Sequence, residues 1–252
     1  MPSVEWNKQT WAQQLIEYEN KGLPYYGSQW GNPDPRAVFP PAIRWMLSEK
    51  VAAVLLQNTG RRRFFHRLFR PRAPFYPDLY RFIGQYITPY VTPNTVALEI
   101  GPGGGRWTRY LLNAKSIILV DIVPQFFGYL RGRFPEAAHK MRFYESSGSE
   151  LNGIDAASVD YLLTFDAFVH IEPPGIREYL HEIQRVLKPG AAAIIHYGDI
   201  GKAEAQRPER NFAPMTAQLM DEFVASLSGM SIVLHDKNFL LHSNLIVFRK
   251  NG

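Results

Sequence analysis

Residues 98–108, "LEIGPGGGRWT", decide how the rest of the chain is read. A short apolar run ends in an acid, and four glycines fall among the five positions 101–105. Such a run is either a flexible loop or a turn stripped of side chains so that a ligand can touch the backbone. Its flanks favour the second reading. "TVALEI" (95–100) predicts a strand before it, and the pattern over 107–113 predicts a helix after it.

The same rhythm continues outward from that turn. Short apolar strands are predicted at 116–122, 140–145, 159–165 and 191–197, with helices at about 124–134, 175–187 and 216–227 between them. Strands apolar on both faces and joined by helices imply a parallel sheet covered on both sides. "SIVLHDK" (231–237) and "NLIVFRK" (244–250) lie too close together for a helical crossover, so they form an antiparallel hairpin at the end. The expected fold class is α/β, a doubly wound sheet with a terminal antiparallel hairpin.

Residues before about 95 differ in style. Prolines at 24, 33, 35, 40, 41, 71, 74, 77, 89 and 93 accompany many Trp, Tyr, Phe and Arg, which reads as helices broken by turns. Helices are predicted at 6–19, 41–58 and 77–87. The expected division is a helical lid over 1–92 and a ligand-binding domain over 93–252.

Composition narrows the chemistry. The 252 residues contain no cysteine, which excludes disulfides, thiolate metal sites and a cysteine nucleophile. Hydrophobic content of 46% suits a buried core, and no apolar run has the roughly 20 residues that a bilayer crossing needs. The N-terminal residues lack a signal-peptide layout, so the expected location is cytoplasmic. The net charge of +5 is concentrated in residues 61–72, "RRRFFHRLFRPR", whose six arginines leave the remainder at −1. Nucleic acid is therefore not the expected partner. That basic amphipathic stretch suits either a helix docked on the domain or a second subunit, or an anionic membrane or phosphorylated ligand.

The glycine turn sits where a doubly wound sheet binds ligands, at the carboxyl end of a strand beside the topological switch point. Gly101 permits the sharp turn, Gly103 lets the backbone approach a ligand, and Gly105 allows close packing. The second strand ends in Asp121, 22 residues after Glu99. An acid there accepts hydrogen bonds from both hydroxyls of a ribose, and it also suits the start of the following helix. A nicotinamide dinucleotide would want glycine at 106, where this chain has Arg. Glu99 would repel a pyrophosphate but suits the positive end of S-adenosylmethionine, so the methyl donor is the favoured ligand.

"VALEIGPGGGRWT" with "VDI", "SVDYLLTFDAFVHIEP" and "EIQRVLKPGAAAIIHYGD" resembles the class I S-adenosylmethionine-dependent methyltransferases over roughly residues 95–250. The resemblance implies a seven-stranded Rossmann-like sheet with its last strand inserted antiparallel. It also implies that Glu99 and Gly101, with Gly103 and Gly105, hold the methionine end of the cofactor. Asp121 would hold the ribose, Ile122 would pack on the adenine, and Phe165 and Asp166 would line the pocket. The turn after the third strand normally carries an acid that reads the adenine edge, but here Ser147 and Gly148 stand in its place. A serine oxygen can still accept one hydrogen bond.

An alcohol acceptor needs its proton removed, and the strand ends offer Asp166 and His170 in "FDAFVHIE" and His196 and Asp199 in "IIHYGD". Each histidine is either a base or an interior residue shaping the pocket. His170 is favoured as the base, with Asp166 one helical turn away to orient it. The four groups carry donors for a divalent metal, but their spacing is loose and no metal is expected. Methyltransferases that act on nucleic-acid amino groups carry (Asp/Asn)-Pro-Pro-aromatic directly after the fourth strand. Here Pro173-Pro174 comes seven residues after Asp166 and precedes Gly175, so it reads as a helix start. The expected acceptor is a hydroxyl on a sugar or other small molecule. An aromatic or amine metabolite, and a cofactor-binding module without catalysis, stand as alternatives. "YYGSQWGNPD" (25–34) supplies aromatic faces suited either to stacking on such an acceptor or to packing the lid.

Overall fold

The computed structural model describes residues 3–21 and 81–252. The helix predicted at 41–58, the aromatic run 25–34 and the arginine-rich stretch 61–72 lie outside the described residues.

Seven strands form one sheet: β1 Val96–Ile100, β2 Ser116–Asp121, β3 Met141–Glu145, β4 Val159–Thr164, β5 Leu187–Gly198, β6 Met230–Asp236 and β7 Ser243–Lys250. Their spatial order is β3-β2-β1-β4-β5-β7-β6. The pairs β1–β2, β1–β4, β2–β3 and β4–β5 are parallel, while β7 runs antiparallel between β5 and β6. The order reverses between β1 and β4, so the turn after β1 lies at the switch point where a crevice opens.

Alternation along the strands splits the core into two layers. Ala97, Ile117, Leu119, Leu163, Ile194 and Val247 face one side. Helix α1 (Val4–Asn20), the 81–91 segment and helix α2 (Gln125–Arg133) cover them. Leu98, Ile118, Leu162, Ala193, Ile195 and Phe248 face the other side, under helix α3 (Pro173–Val186) and helix α4 (Ala217–Ala225). α3 shows why this works: Ile176, Tyr179, Leu180, Ile183 and Val186 are buried and share one face at helical spacing. Pro173 and Pro174 occupy its first turn, where a missing N–H costs nothing. α1 places Asn7, Trp11, Leu15 and Tyr18 on one stripe, and Leu15 enters the core.

Three predicted elements differ. The helix expected over 107–113 is a single 3₁₀ turn, Thr108–Tyr110, closed by the hydrogen bonds Tyr110 N–H to Trp107 O and Leu111 N–H to Thr108 O. The segment is short, follows three glycines and contains a β-branched and two aromatic residues, so it lacks the propensity to nucleate an α-helix. The described end of the helix expected at 77–87 widens into a π-helical turn over Ile83–Ile87, with Thr88 N–H donating to Ile83 O. β5 also starts four residues earlier than expected, because Leu187 bridges Val159 before a register shift admits the Ala192 pairing.

Candidate active site

At the end of β1 the chain turns out of the sheet at Gly101, whose φ is +72°. A Cβ at this position would come within 2.4 Å of the Ala167 Cβ, so only glycine lets the β1 and β4 turns approach this closely. Gly105 is equally constrained, at φ +81° with Leu130 and Phe134 2.6 and 2.7 Å from a Cβ built there. It therefore seats the turn against α2.

Two buried acids flank this turn. Glu99 accepts a 2.6 Å hydrogen bond from the Thr108 hydroxyl, which ties the strand end to the 3₁₀ turn. Burial pushes its pKa up to about 8, partly opposed by the Thr108 bond and reinforced by the charge of Asp121. Asp121 accepts from the backbone N–H groups of Gly103 at 3.1 Å and Val123 at 3.0 Å. Burial raises its pKa to about 6 against those two bonds. One N–H on each oxygen leaves further acceptor positions on a carboxylate, enough for two hydroxyls. No cation pairs with either acid among the described residues. Two buried, unpaired acids around a bare turn fit a ligand bearing a positive charge and a diol.

The turn after β3 is built from serines. Ser146 is buried, with its hydroxyl 2.9 Å from that of Tyr179 and also accepting from the Gly148 N–H. Ser147 is exposed, and its N–H is held by Glu150 at 2.6 Å. Helix α1 lies over this turn. Val4 rests so near Gly148 that a Cβ there would stand 2.9 Å from it, and Lys8 pairs with Glu145 at 2.6 Å. Ile122 is half-buried at the edge of the core. Phe165 turns inward, 4.1 Å from and nearly parallel to the His196 ring and 4.2 Å from Trp107.

The histidines separate sharply. His196 is fully buried; its Nδ1 accepts the Asp166 N–H at 3.2 Å and its Nε2 lies 2.6 Å from the Ser243 hydroxyl. With both nitrogens engaged, no lone pair remains for a substrate proton. Burial, with Arg106 and Lys202 nearby, lowers its pKa to about 3. His170 is half-buried, with Nδ1 3.2 Å from the backbone carbonyl oxygen of Asn211, the Trp11 ring at 5.3 Å and the Phe212 ring at 5.8 Å. Its pKa is lowered, chiefly by burial, with the Asn211 carbonyl and Asp166 opposing.

The residue expected to orient His170 is elsewhere. Asp166, at φ +64°, directs its carboxylate to Arg106 and to the His196 side, each at 3.4 Å, and the Asn211 carbonyl holds His170 instead. Asp199 is committed to Asn244 and the Gly201 N–H. Among the described residues no group of three or more His, Asp or Glu is arranged to hold a metal ion, and no helix is long and apolar enough to cross a membrane. Sequence reasoning missed Thr108 and Asn211, and Asn211 had a signal in the "PERN" run, where asparagine follows a turn that proline starts.

Comparison with known proteins places this geometry. Residues 97–190 match the family model described as a methyltransferase domain. The fold matches an S-adenosylmethionine-dependent methyltransferase from Clostridium acetobutylicum at TM-score 0.53 and 13% identity, over 62% of this chain and 84% of that one. A second such methyltransferase, from Aquifex aeolicus, matches at 0.52 and 14%, over 78% and 95%. The [4+2]-cyclase SpnF matches at 0.58 and 14%, over 72% and 83%. Residues 97–190 therefore match a methyltransferase domain, on a fold that S-adenosylmethionine-dependent methyltransferases share. A fold that a cyclase shares with methyltransferases does not by itself name the substrate, which local residues decide.

Proposed function

We propose that the protein methylates a hydroxyl of a sugar or other small molecule, with His170 as the base. The observation that carries this reading is the state of that ring. A carbonyl can only accept, so the Asn211 contact puts the His170 proton on Nδ1 and leaves the Nε2 lone pair for a substrate. Nε2 makes no hydrogen bond among the described residues. Trp11 and Phe212 flank the ring, which is half-buried.

Glu99, Gly101, Gly103, Gly105 and Asp121 would hold S-adenosylmethionine, which would supply an electrophilic methyl group and leave as the neutral thioether. Ile122 and the Ser147–Gly148 turn border the adenine end in this reading. His170 Nε2 takes the acceptor's hydroxyl proton, while Trp11 and Phe212 position the acceptor. His196 serves as a buried strut under Asp166 and Phe165. Residues 1–92 act as the lid, with α1 as its floor over the cofactor edge. An amine metabolite as acceptor is favoured by one feature, the partly exposed Asp166 carboxylate, which suits an ammonium.

The test is methyl release against acceptor panels, alcohols beside amines. His170→Ala should lower kcat about a hundredfold or more on alcohols, with cofactor affinity within a few fold. Unchanged turnover would mean that positioning alone carries the reaction.

A further inference from the structure

The loop between β5 and α4 reaches back over the β4 turn and is fastened to it twice. The Ala213 N–H donates to the Val169 carbonyl at 2.9 Å, and Nδ1 of the next residue, His170, meets the Asn211 carbonyl at 3.2 Å. Asn211 ends the 3₁₀ turn Pro208–Arg210 in a left-handed conformation, φ +51° and ψ +42°. Its own N–H donates to the Pro208 carbonyl, which closes the turn. Phe212 then packs edge-on against His170, stacks on His242 at 5.5 Å and closes over Gly198. Residue 211 is thus pinned on both sides, and its carbonyl has one direction left to face.

We infer that the Asn211 backbone carbonyl is the positioning group that fixes the tautomer of His170, aimed by the left-handed conformation of residue 211. The inference rests on the proposed role of His170 for its consequence, though not for its geometry. A neutral imidazole free of this contact favours neither nitrogen strongly. Held by a carbonyl, it carries its proton on Nδ1 and presents a basic Nε2. The side chain of Asn211 contributes only its tolerance of positive φ, which asparagine has beyond most residues and glycine has fully. A β-branched residue would be forced out of that region and would carry the carbonyl with it.

Two measurements test this. In ¹⁵N-labelled unliganded protein, the resonances lost in His170→Gln identify His170 and report its tautomer. The Nδ1–H form supports the inference, and the Nε2–H form or an even mixture overturns it, whatever the reaction proves to be. In the second, Asn211→Val should release the tautomer and lower kcat about tenfold or more, with cofactor affinity within a few fold. Asn211→Gly should retain the Nδ1–H tautomer and turnover within about twofold. Equal losses in both variants, or a retained tautomer in Asn211→Val, would overturn it. If His170→Ala leaves turnover intact while the wild-type ring is Nδ1–H, the base assignment fails and the positioning stands.

Discussion

His170 follows β4 and His196 lies within the neighbouring β5, yet they carry their ring protons on opposite nitrogens. Nδ1 of His170 donates to a carbonyl, whereas Nδ1 of His196 accepts the Asp166 N–H and its Nε2–H faces Ser243. The strut therefore depends on Ser243 as acceptor. Ser243→Ala leaves a buried N–H unsatisfied and should cost about 1–3 kcal/mol in denaturant unfolding, with cofactor affinity nearly unchanged. The His196 ring should remain neutral by NMR as pH falls to about 3 for as long as the fold persists. Protonation near pH 6 would contradict the buried, doubly bonded arrangement.

Asp121 joins the second strand to the glycine turn through the Gly103 N–H. Asp121→Ala should weaken cofactor binding by about 1–3 kcal/mol in calorimetry, the scale of hydrogen bonds to a charged group. Amide exchange at Gly103 should also rise, because its N–H loses a buried acceptor. Full affinity in the variant would remove Asp121 from the cofactor site.

With Glu99 in its proposed place, cofactor affinity should depend on pH. Its pKa of about 8 leaves it mostly protonated at neutral pH in the unliganded protein, whereas a cationic ligand favours the carboxylate. Binding then releases a proton. Affinity should rise by up to about tenfold per pH unit between 6.5 and 8 and level off above. Glu99→Gln should bind more weakly and lose that slope. A flat affinity across this range in the wild type would show Glu99 already ionised.

Gly101 and Ala167 share one space between the first and fourth strand turns. Gly101→Ala should destabilise by about 2–5 kcal/mol, summing about 1–2 for positive φ and 1–3 for the overlap. Ala167→Gly in that background should recover the overlap and leave the backbone strain. Independent, additive effects of the two changes would disprove the close approach.

Trp11 on α1 lies 5.3 Å from His170 with its ring tilted by 53°, on the proposed acceptor side. Trp11→Ala should raise the acceptor KM or lower kcat while leaving cofactor affinity within a few fold. The same experiment with Trp30→Ala and Tyr26→Ala extends the lid reading to residues outside the described structure. Equal losses of cofactor affinity and turnover would move this helix into the cofactor site.

The fold was legible because its signals are local and repeat. Apolar strands such as 116–121 could only be covered on both faces, and the gap between β6 and β7 was too short for a crossover. The grouping of Glu99, the glycine turn and Asp121 was legible for the same reason, since they lie within 23 residues and their spacing reflects one βαβ unit. The acceptor side was not. Sequence favoured His170 over His196 only through Asp166, which turns elsewhere, because residue type reports basicity, whereas burial and hydrogen-bond partners decide which nitrogen is open. Those partners, Asn211 and Ser243, lie about 40 and 47 residues away and meet the histidines only when the loop after β5 and the inserted strand β7 close over the sheet edge. A carbonyl's direction depends on the dihedrals of its residue and on what pins it, and no single letter of sequence carries that.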